Sequence, residues 1–555
     1  MIETASEIFL QQGMCYVDLI SQRGFGIRYF SKIGSSSPIV VSINGKHACA
    51  CGSIQYSGLV SEKALFAILN DHIDGVLDPT RVRGSWNLIL VDQPNAAKVV
   101  TSPSGQYHSF YHSLDQKYFV SSSFLACGVT LGPRVSIDPI PALDYICNNA
   151  VHSNKTFLKG IRRLPAGCIC ELDDFGYKVS AYPKVQSNFD IGLDYTSLLK
   201  ETWSEAFLAM ADDGKLKIDI SGGLDSRLIA ALVKNSGAQH SYNVNRSSNV
   251  ASQDVEIAQL IAEGEGKSLQ VIDYPNRKKE ESWGELRKSF IAYDGLRSVL
   301  GKASVAHSIF TKKAQDVDYL IGGHGGELLR EYWLAMPIKL PLKKFTERHY
   351  TIAGMSSLYS DHVNYHMENA KEILGGQSDL CGEKLARLYY EVRMRFWAGT
   401  RISVLNKYVS KFSPLNDYHQ SAVAIAMDPA DKRHAIAEKR VIASLCPVMF
   451  AYPSQYGTLR RSATLEDKFI RTRDVARELV RLNFSYARKD GTQREAIRRL
   501  GPLDIDLTYT MSEVLDQCQI TNVVDARQVV PNIMSLALVL TVLRNPTEYL
   551  GVRGT

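Results

Sequence analysis

One stretch constrains this chain more than any other: KLKIDI, then Ser221-Gly222-Gly223-Leu224-Asp225-Ser226, then RLIAALVKN. It reads as a short apolar strand, a serine/glycine turn and a helix that begins at once. That order calls for a parallel sheet with crossover helices, because the helix has to carry the chain back across the sheet face before the next strand. The alternation continues with strand SYNVN, helix SQDVEIAQLIAEGEG, strand LQVIDY and, near Val317–Ile321, strand VDYLI, which leads into a second glycine loop. After about Glu331 the pattern is mostly helical. The first 180 or so residues differ: PIVVSING, SWNLILVD, AAKVVTS, QKYFVSSS and GCICEL, separated by turn signals such as Asn44-Gly45, predict an antiparallel β-rich domain with helices such as Ser61–His72 inserted. The expected division is 1–190 and 195–555, since 555 residues exceed one average domain.

Composition excludes several classes. With 45% hydrophobic and 22% charged residues the chain can bury a large core, and a net charge of +6 gives no overall reason to invoke nucleic acid. The ten cysteines have neither CxxC spacing nor a disulfide-like framework, so they read mostly as small buried hydrophobes in a reducing compartment. MIETASEIFLQQG does not look like a signal peptide, and Val529–Leu543 is too short for a bilayer that needs about 20 apolar residues. A cytoplasmic location and a buried C-terminal helix are the expectations. Between Arg460 and Arg499 lie twelve Arg/Lys against six Asp/Glu, readable as a solvated face or as a docking face for an acidic partner or substrate.

The chemistry centres on Ser221–Ser226. Its glycines let the backbone approach a ligand closely, and the helix that follows aims free N–H groups and a positive dipole at it. Ser221 and Ser226 add hydroxyl donors. Asp225 beside a phosphate site makes sense chiefly as a Mg²⁺ ligand, since bare acid would repel phosphate. No Walker lysine is present, so this is not the GxxxxGK[ST] type of loop.

SGGLDS resembles the pyrophosphate-binding loop of the N-type ATP pyrophosphatases, and its surroundings resemble the asparagine synthetase family. His240–Asn245, Ser252-Gln253-Asp254, Tyr293-Asp294, the helix KASVAHSIFTKKA and strand VDYLI occur in that family's order. Then comes Gly322-Gly323-His324-Gly325-Gly326-Glu327, where the family usually has S-G-E-G-S-D. VSKFSPLND (Val409–Asp417) is more loosely similar. Gly84-Ser85-Trp86-Asn87, Thr101–Tyr111 and Ile161–Gly167 look like the later part of the family's glutaminase domain. The resemblance implies an N-terminal, Ntn-type α/β/β/α sandwich and a C-terminal synthetase domain with a helix-flanked parallel sheet and a helical last part. Active glutaminases of the family begin with a cysteine exposed by methionine removal; here residue 2 is Ile, so glutamine hydrolysis is expected to be absent.

A degenerate glutaminase domain beside an intact synthetase loop resembles the β-lactam synthetases and lasso-peptide cyclases, in which an amine attacks its own molecule's acyl-adenylate. His324 matches the GHGG form of the lasso cyclases, and a base is needed there because an amine with a pKa of about 8–10 arrives protonated. The resemblance implies ATP and Mg²⁺, with Asp225 and Glu327 as metal ligands. It places the nucleotide on Ile220, Ser221, Gly222, Gly223, Asp225, Ser226, Val244, Gly322 and Gly323. It also implies Glu391 as orienter of the base, and Arg433 or Lys432 as the cation at the adenylate. The expected function is an AMP-forming amide ligase acting intramolecularly, on a substrate bearing carboxylate and amine, such as a peptide. An ammonia-using asparagine-synthetase-like enzyme and a silent scaffold are the alternatives. Neither nucleic acid nor membrane insertion is expected.

Overall fold

The computed structural model describes residues 1–22, 24–182, 195–246, 252–274, 282–300, 305–330, 333, 340–454, 505–521 and 526–552. The basic stretch 460–499 lies outside them. The architecture is mixed α/β, with antiparallel sheets in the first half of the chain and a parallel sheet in the second.

The larger antiparallel sheet runs Gly176–Ala181, Cys168–Asp173, Ala96–Thr101, Arg83–Gln93, Lys46–Tyr56, Val40–Ile43, with Leu59–Val60 folded back on Lys46–Tyr56. Helix Ser61–Ile73 covers one face, burying Ala64, Leu65, Ile68 and Leu69 against Val41, Trp86 and Leu88. On the other face Val99, Cys168 and Cys170 meet Tyr111 and Val120 of a three-stranded sheet, Phe110–Leu114, Lys117–Ser121 and Arg162–Arg163. Helix Phe124–Leu131 packs on that small sheet. The layers are therefore α/β/β/α, and the two-residue period that sends Cys168 and Cys170 inward explains the C-x-C spacing. Seven of the ten cysteines are buried and all are free.

The parallel sheet has the order Leu269–Asp273, Ser241–Arg246, Leu216–Asp219, Tyr319–Ile321, Ser410–Phe412. The chain starts at the central strand, Leu216–Asp219, moves outward through two strands on one side, then crosses to the other. Helix Leu224–Ser236 buries Leu228, Ile229 and Leu232 with Ile218, Tyr242 and Ile261 in the largest core. The fifth strand, Ser410–Phe412, falls within VSKFSPLND, whose short apolar content carries no strand period.

The cores do not divide near residue 190. Helix Ala526–Arg544 returns to the first half and packs Leu536, Leu540 and Leu543 with Phe124, Leu125, Tyr145 and Ile146. This is the apolar C-terminal segment, and it is a buried helix; no described helix is long and apolar enough to cross a membrane. Asp294 adds a polar latch between the halves, accepting from Ser123 Oγ (2.5 Å) and from the backbone N–H groups of Phe124 and Leu125 at the start of helix Phe124–Leu131.

Candidate active site

In an open parallel sheet a crevice forms beyond the carboxyl ends of the strands where the winding reverses. Here that point lies between Leu216–Asp219 and Tyr319–Ile321. The loops leaving these two strands are Ser221–Ser226 and Gly322–Glu327, so the two glycine loops adjoin at the one place the topology opens. They press together closely. A Cβ on Gly323 would lie 2.6 Å from the Asp225 carbonyl carbon, and one on Gly326 would lie 2.3 Å from Asp225 Oδ1. Only glycine allows that approach.

Within the first loop, Ser226 Oγ accepts from the Ser221 N–H (3.0 Å) and lies 2.9 Å from Ser221 Oγ. Asp254, at the start of helix Ser252–Gly264, accepts from the Gly222 N–H (2.9 Å). The turn is thus held in shape by side chains before any ligand arrives. Arg227, wholly buried, anchors the helix behind it to the carbonyls of Tyr452 (2.6 Å) and Pro453.

Three carboxylates converge beside this turn. Asp225 pairs with Arg330 (2.6 Å), Glu327 folds back to accept from the Gly325 N–H (3.1 Å), and Glu438 lies 4.0 Å from Arg330. Glu438 is completely buried, and no donor among the described residues satisfies either of its oxygens or Asp225 Oδ1. Burial and the facing Asp225 push Glu438 well above the usual carboxylate range, and the same two causes raise Glu327. The orphaned buried oxygens of Asp225 and Glu438 are donors of the kind a hard divalent cation such as Mg²⁺ takes, although the three carboxylates do not all come within 4.8 Å of one another. A narrow cleft opens next to them, walled by Glu327, Arg330, Trp333, Leu385, Tyr389 and Lys432.

His324 occupies a second, cationic pocket on the other side of its loop. Asp219, the last residue of the central strand, binds Lys313 (2.6 Å) and Lys411 (2.8 Å). Burial alone would raise the Asp219 carboxyl, but the two lysines outweigh it and hold it well below the usual range. Burial, then the charges of Lys411 and Arg401, depress the His324 imidazole to about 3, so the ring is neutral. Its Nδ1 is buried without a hydrogen-bond partner among the described residues. Burial also lowers the Lys411 ammonium to about 8.

The remaining expected residues are placed as follows. Ile220 and Val244 are buried in the main core, with the Ile220 N–H donating to Asn243 (2.9 Å). Glu391 sits in helix Tyr389–Ala398, where its charge acts on Tyr390, Arg395 and Tyr418; it is not among the main charges acting on His324. Arg433 is a correction. It is exposed where the chain breaks at His434 and Ala435, both with positive φ, whereas buried Lys432 lines the cleft and donates to the Ile425 carbonyl (3.0 Å). Of that pair it is Lys432 that lines the cleft.

Glu438, Arg330, Asp254, Lys411 and Lys313 were not singled out from the sequence as site residues. For Glu438 a signal exists: it shares the apolar stripe of helix Ile436–Leu445 with Val441, Ile442 and Leu445, and an acid on a buried face asks for a partner.

No protein-family model matches the chain, and no curated protein matches it. Among solved structures it is similar to glutamine phosphoribosylpyrophosphate amidotransferase from B. subtilis, complexed with ADP and GMP. Identity is 12%, the TM-score is 0.19, and the overlap spans 43% of this chain and about half (49%) of that one. No functional statement follows from an overlap that slight.

Proposed function

We propose that this chain is an ATP-dependent ligase that activates a substrate carboxylate as its adenylate and passes the acyl group to an amine. The observation that carries this reading is the meeting of the two glycine loops at the topological switch point, where Asp225 and Glu438 leave carboxylate oxygens uncompensated beside a donor-rich turn. The Ser221 and Ser226 hydroxyls and the N–H groups opening helix Leu224–Ser236 bind the phosphates of ATP. Asp225 and Glu327 would hold Mg²⁺, which would supply charge neutralisation for the departing pyrophosphate. The substrate carboxylate oxygen attacks the α-phosphorus, and the bond from that phosphorus to the β-bridging oxygen breaks. The amine nitrogen then attacks the acyl carbon, AMP leaves, and an amide remains.

His324 accepts the amine's proton in this scheme. A ring surrounded by Lys411, Arg401 and Lys313 is a weak acceptor on its own; the negative charge of a bound adenylate offsets those cations and strengthens it. Lys432 lines the cleft beside Glu327 and Arg330, which does not include His324, and positions anionic substrate there. The acceptor amine is the substrate's own, a peptide amino terminus closing on an Asp or Glu side chain. The His324 form of the loop and the aromatic wall made by Trp333 and Tyr389 support that reading.

The test is isotope exchange from pyrophosphate into ATP, with Mg²⁺ and candidate peptides that carry a free amino terminus and an internal Asp or Glu. Exchange, with AMP as the accompanying product, is expected, and Asp225→Asn should abolish it. Formation of ADP and phosphate, or undiminished exchange in Asp225→Asn, refutes the scheme.

A further inference from the structure

A second cluster of ligating side chains lies away from the nucleotide loops and plays no part in the chemistry above. Asp144 belongs to helix Pro139–Asn148 in the first half of the chain; His362 and His366 lie one helical turn apart on helix Tyr359–Ile373 in the second. The spacing of four residues puts both imidazoles on one helical face, and the two helices pack against each other. All three side chains are buried: Asp144 is 0% exposed, His362 2% and His366 4%.

The geometry converges on one point. His362 Nε2 and His366 Nε2 are 3.2 Å apart, and His366 Nε2 is 3.4 Å from Asp144 Oδ1. A four-coordinate zinc ion with bonds of roughly 2.05 Å has ligand–ligand edges of roughly 3.3 Å. The third edge is longer but within 4.8 Å. Hydrogen bonding alone accounts poorly for the arrangement. If His362 Nε2 donates to His366 Nε2, the acceptor's lone pair is used and it has no hydrogen for Asp144. If His366 Nε2 donates to Asp144, its hydrogen is committed there and His362 Nε2 is left facing it with a lone pair. A cation accepts all three lone pairs at once.

The surroundings hold the carboxylate as an outer shell holds a ligand. Asp144 Oδ1 accepts from Asn148 Nδ2 (2.8 Å) and His152 Nδ1 (3.0 Å), and Oδ2 accepts from the His152 backbone N–H (2.6 Å). Tyr350 stacks on the His366 ring at 4.6 Å between centroids. Such partners fix ligand orientation.

We propose that Asp144, His362 and His366 form a binding site for a divalent transition-metal ion, with zinc the ion best suited to two imidazoles and one carboxylate. Three protein ligands leave one tetrahedral position for water. The ion ties the helix Pro139–Asn148 of the antiparallel half to helix Tyr359–Ile373 of the synthetase half. It is independent of the oxygen-ligand site at Asp225, which suits a harder cation.

The test uses the full chain, stripped with chelator, exposed to Zn²⁺ and desalted, with metal content read by mass spectrometry. Wild type should retain about one equivalent, and chelation should lower its Tm. His366→Gln and Asp144→Asn should lose the retained zinc, while Asp225→Asn keeps it. Because either buried variant could fail to fold, the zinc X-ray absorption spectrum of wild type provides a second reading, expected to show two imidazoles and oxygen. Wild type that retains less than about a tenth of an equivalent overturns the site, as does a sulfur-bearing spectrum or folded variants that bind as wild type does.

Discussion

Gly323→Ala measures how closely the two glycine loops must approach. A methyl group at position 323 would lie 2.6 Å from the Asp225 carbonyl carbon, 2.7 Å from its oxygen and 2.7 Å from the Ser226 nitrogen. Carbon atoms in contact prefer about 3.5–4.0 Å, so the loops must part by about 1 Å. All three neighbours are backbone of the phosphate turn, and none can rotate aside. Overpacking of this kind costs about 1–3 kcal/mol of stability. The functional loss should be larger in proportion, since a misplacement of about 1 Å at a reacting centre lowers the rate about 10²-fold. Pyrophosphate–ATP exchange and thermal unfolding should therefore fall together. Gly284→Ala is the control: it is exposed, on helix Trp283–Ala292, and its new methyl meets nothing nearer than a serine hydroxyl at 3.8 Å. Exchange in Gly323→Ala within about threefold of wild type, at unchanged Tm, would refute the close-approach argument.

Other substitutions separate the groups of the site. His324→Ala should leave exchange intact and slow amide formation by about 10²–10⁴-fold, measured as product per adenylate formed; equal loss of both would remove His324 from the second step. Arg330→Met frees Asp225 from its 2.6 Å partner, so Mg²⁺ should bind more tightly by calorimetry; unchanged affinity would mean that the ion pair does not compete for the carboxylate. Glu265 offers a stability test remote from the site. Burial would raise its carboxyl, yet bonds from His240, Lys234 and Tyr242 hold it at about 2, below an unfolded value of 4.5. The contribution is thus present above the unfolded value and lost as pH falls from there toward 2. Glu265→Gln should cost about 2 kcal/mol in urea unfolding near neutral pH and much less near the bottom of that window; a pH-independent difference would contradict the sign.

Much of the fold was legible because its signals are local. Helix Ser61–Ile73 differs by one residue from the expected Ser61–His72, and KLKIDI, SYNVN, LQVIDY and VDYLI all contain parallel strands. Short apolar runs between amphipathic helices leave little choice of sheet type. The fifth strand, Ser410–Phe412, was not legible, since it is three residues long and pairs only through a partner ninety residues earlier. The returning helix Ala526–Arg544 was readable as buried, but nothing in its own residues names the surface that buries it.

At Ser221–Ser226 the sequence alone determined the turn, the helix dipole and the hydroxyl donors, because these need only neighbours along the chain. The tertiary structure decided which charges face that turn. Glu438 and Arg330 reach it from distant segments, and a break at His434 turns Arg433 outward and leaves Lys432 in the cleft wall. His324 was visible as a histidine between glycines, yet its neutral state depends on its burial and then on Lys411 and Arg401, which only folding supplies. A side chain's charge and hydrogen-bonding capacity are written in its identity. Its burial and its partners, which set what that charge can do, are properties of the packed chain.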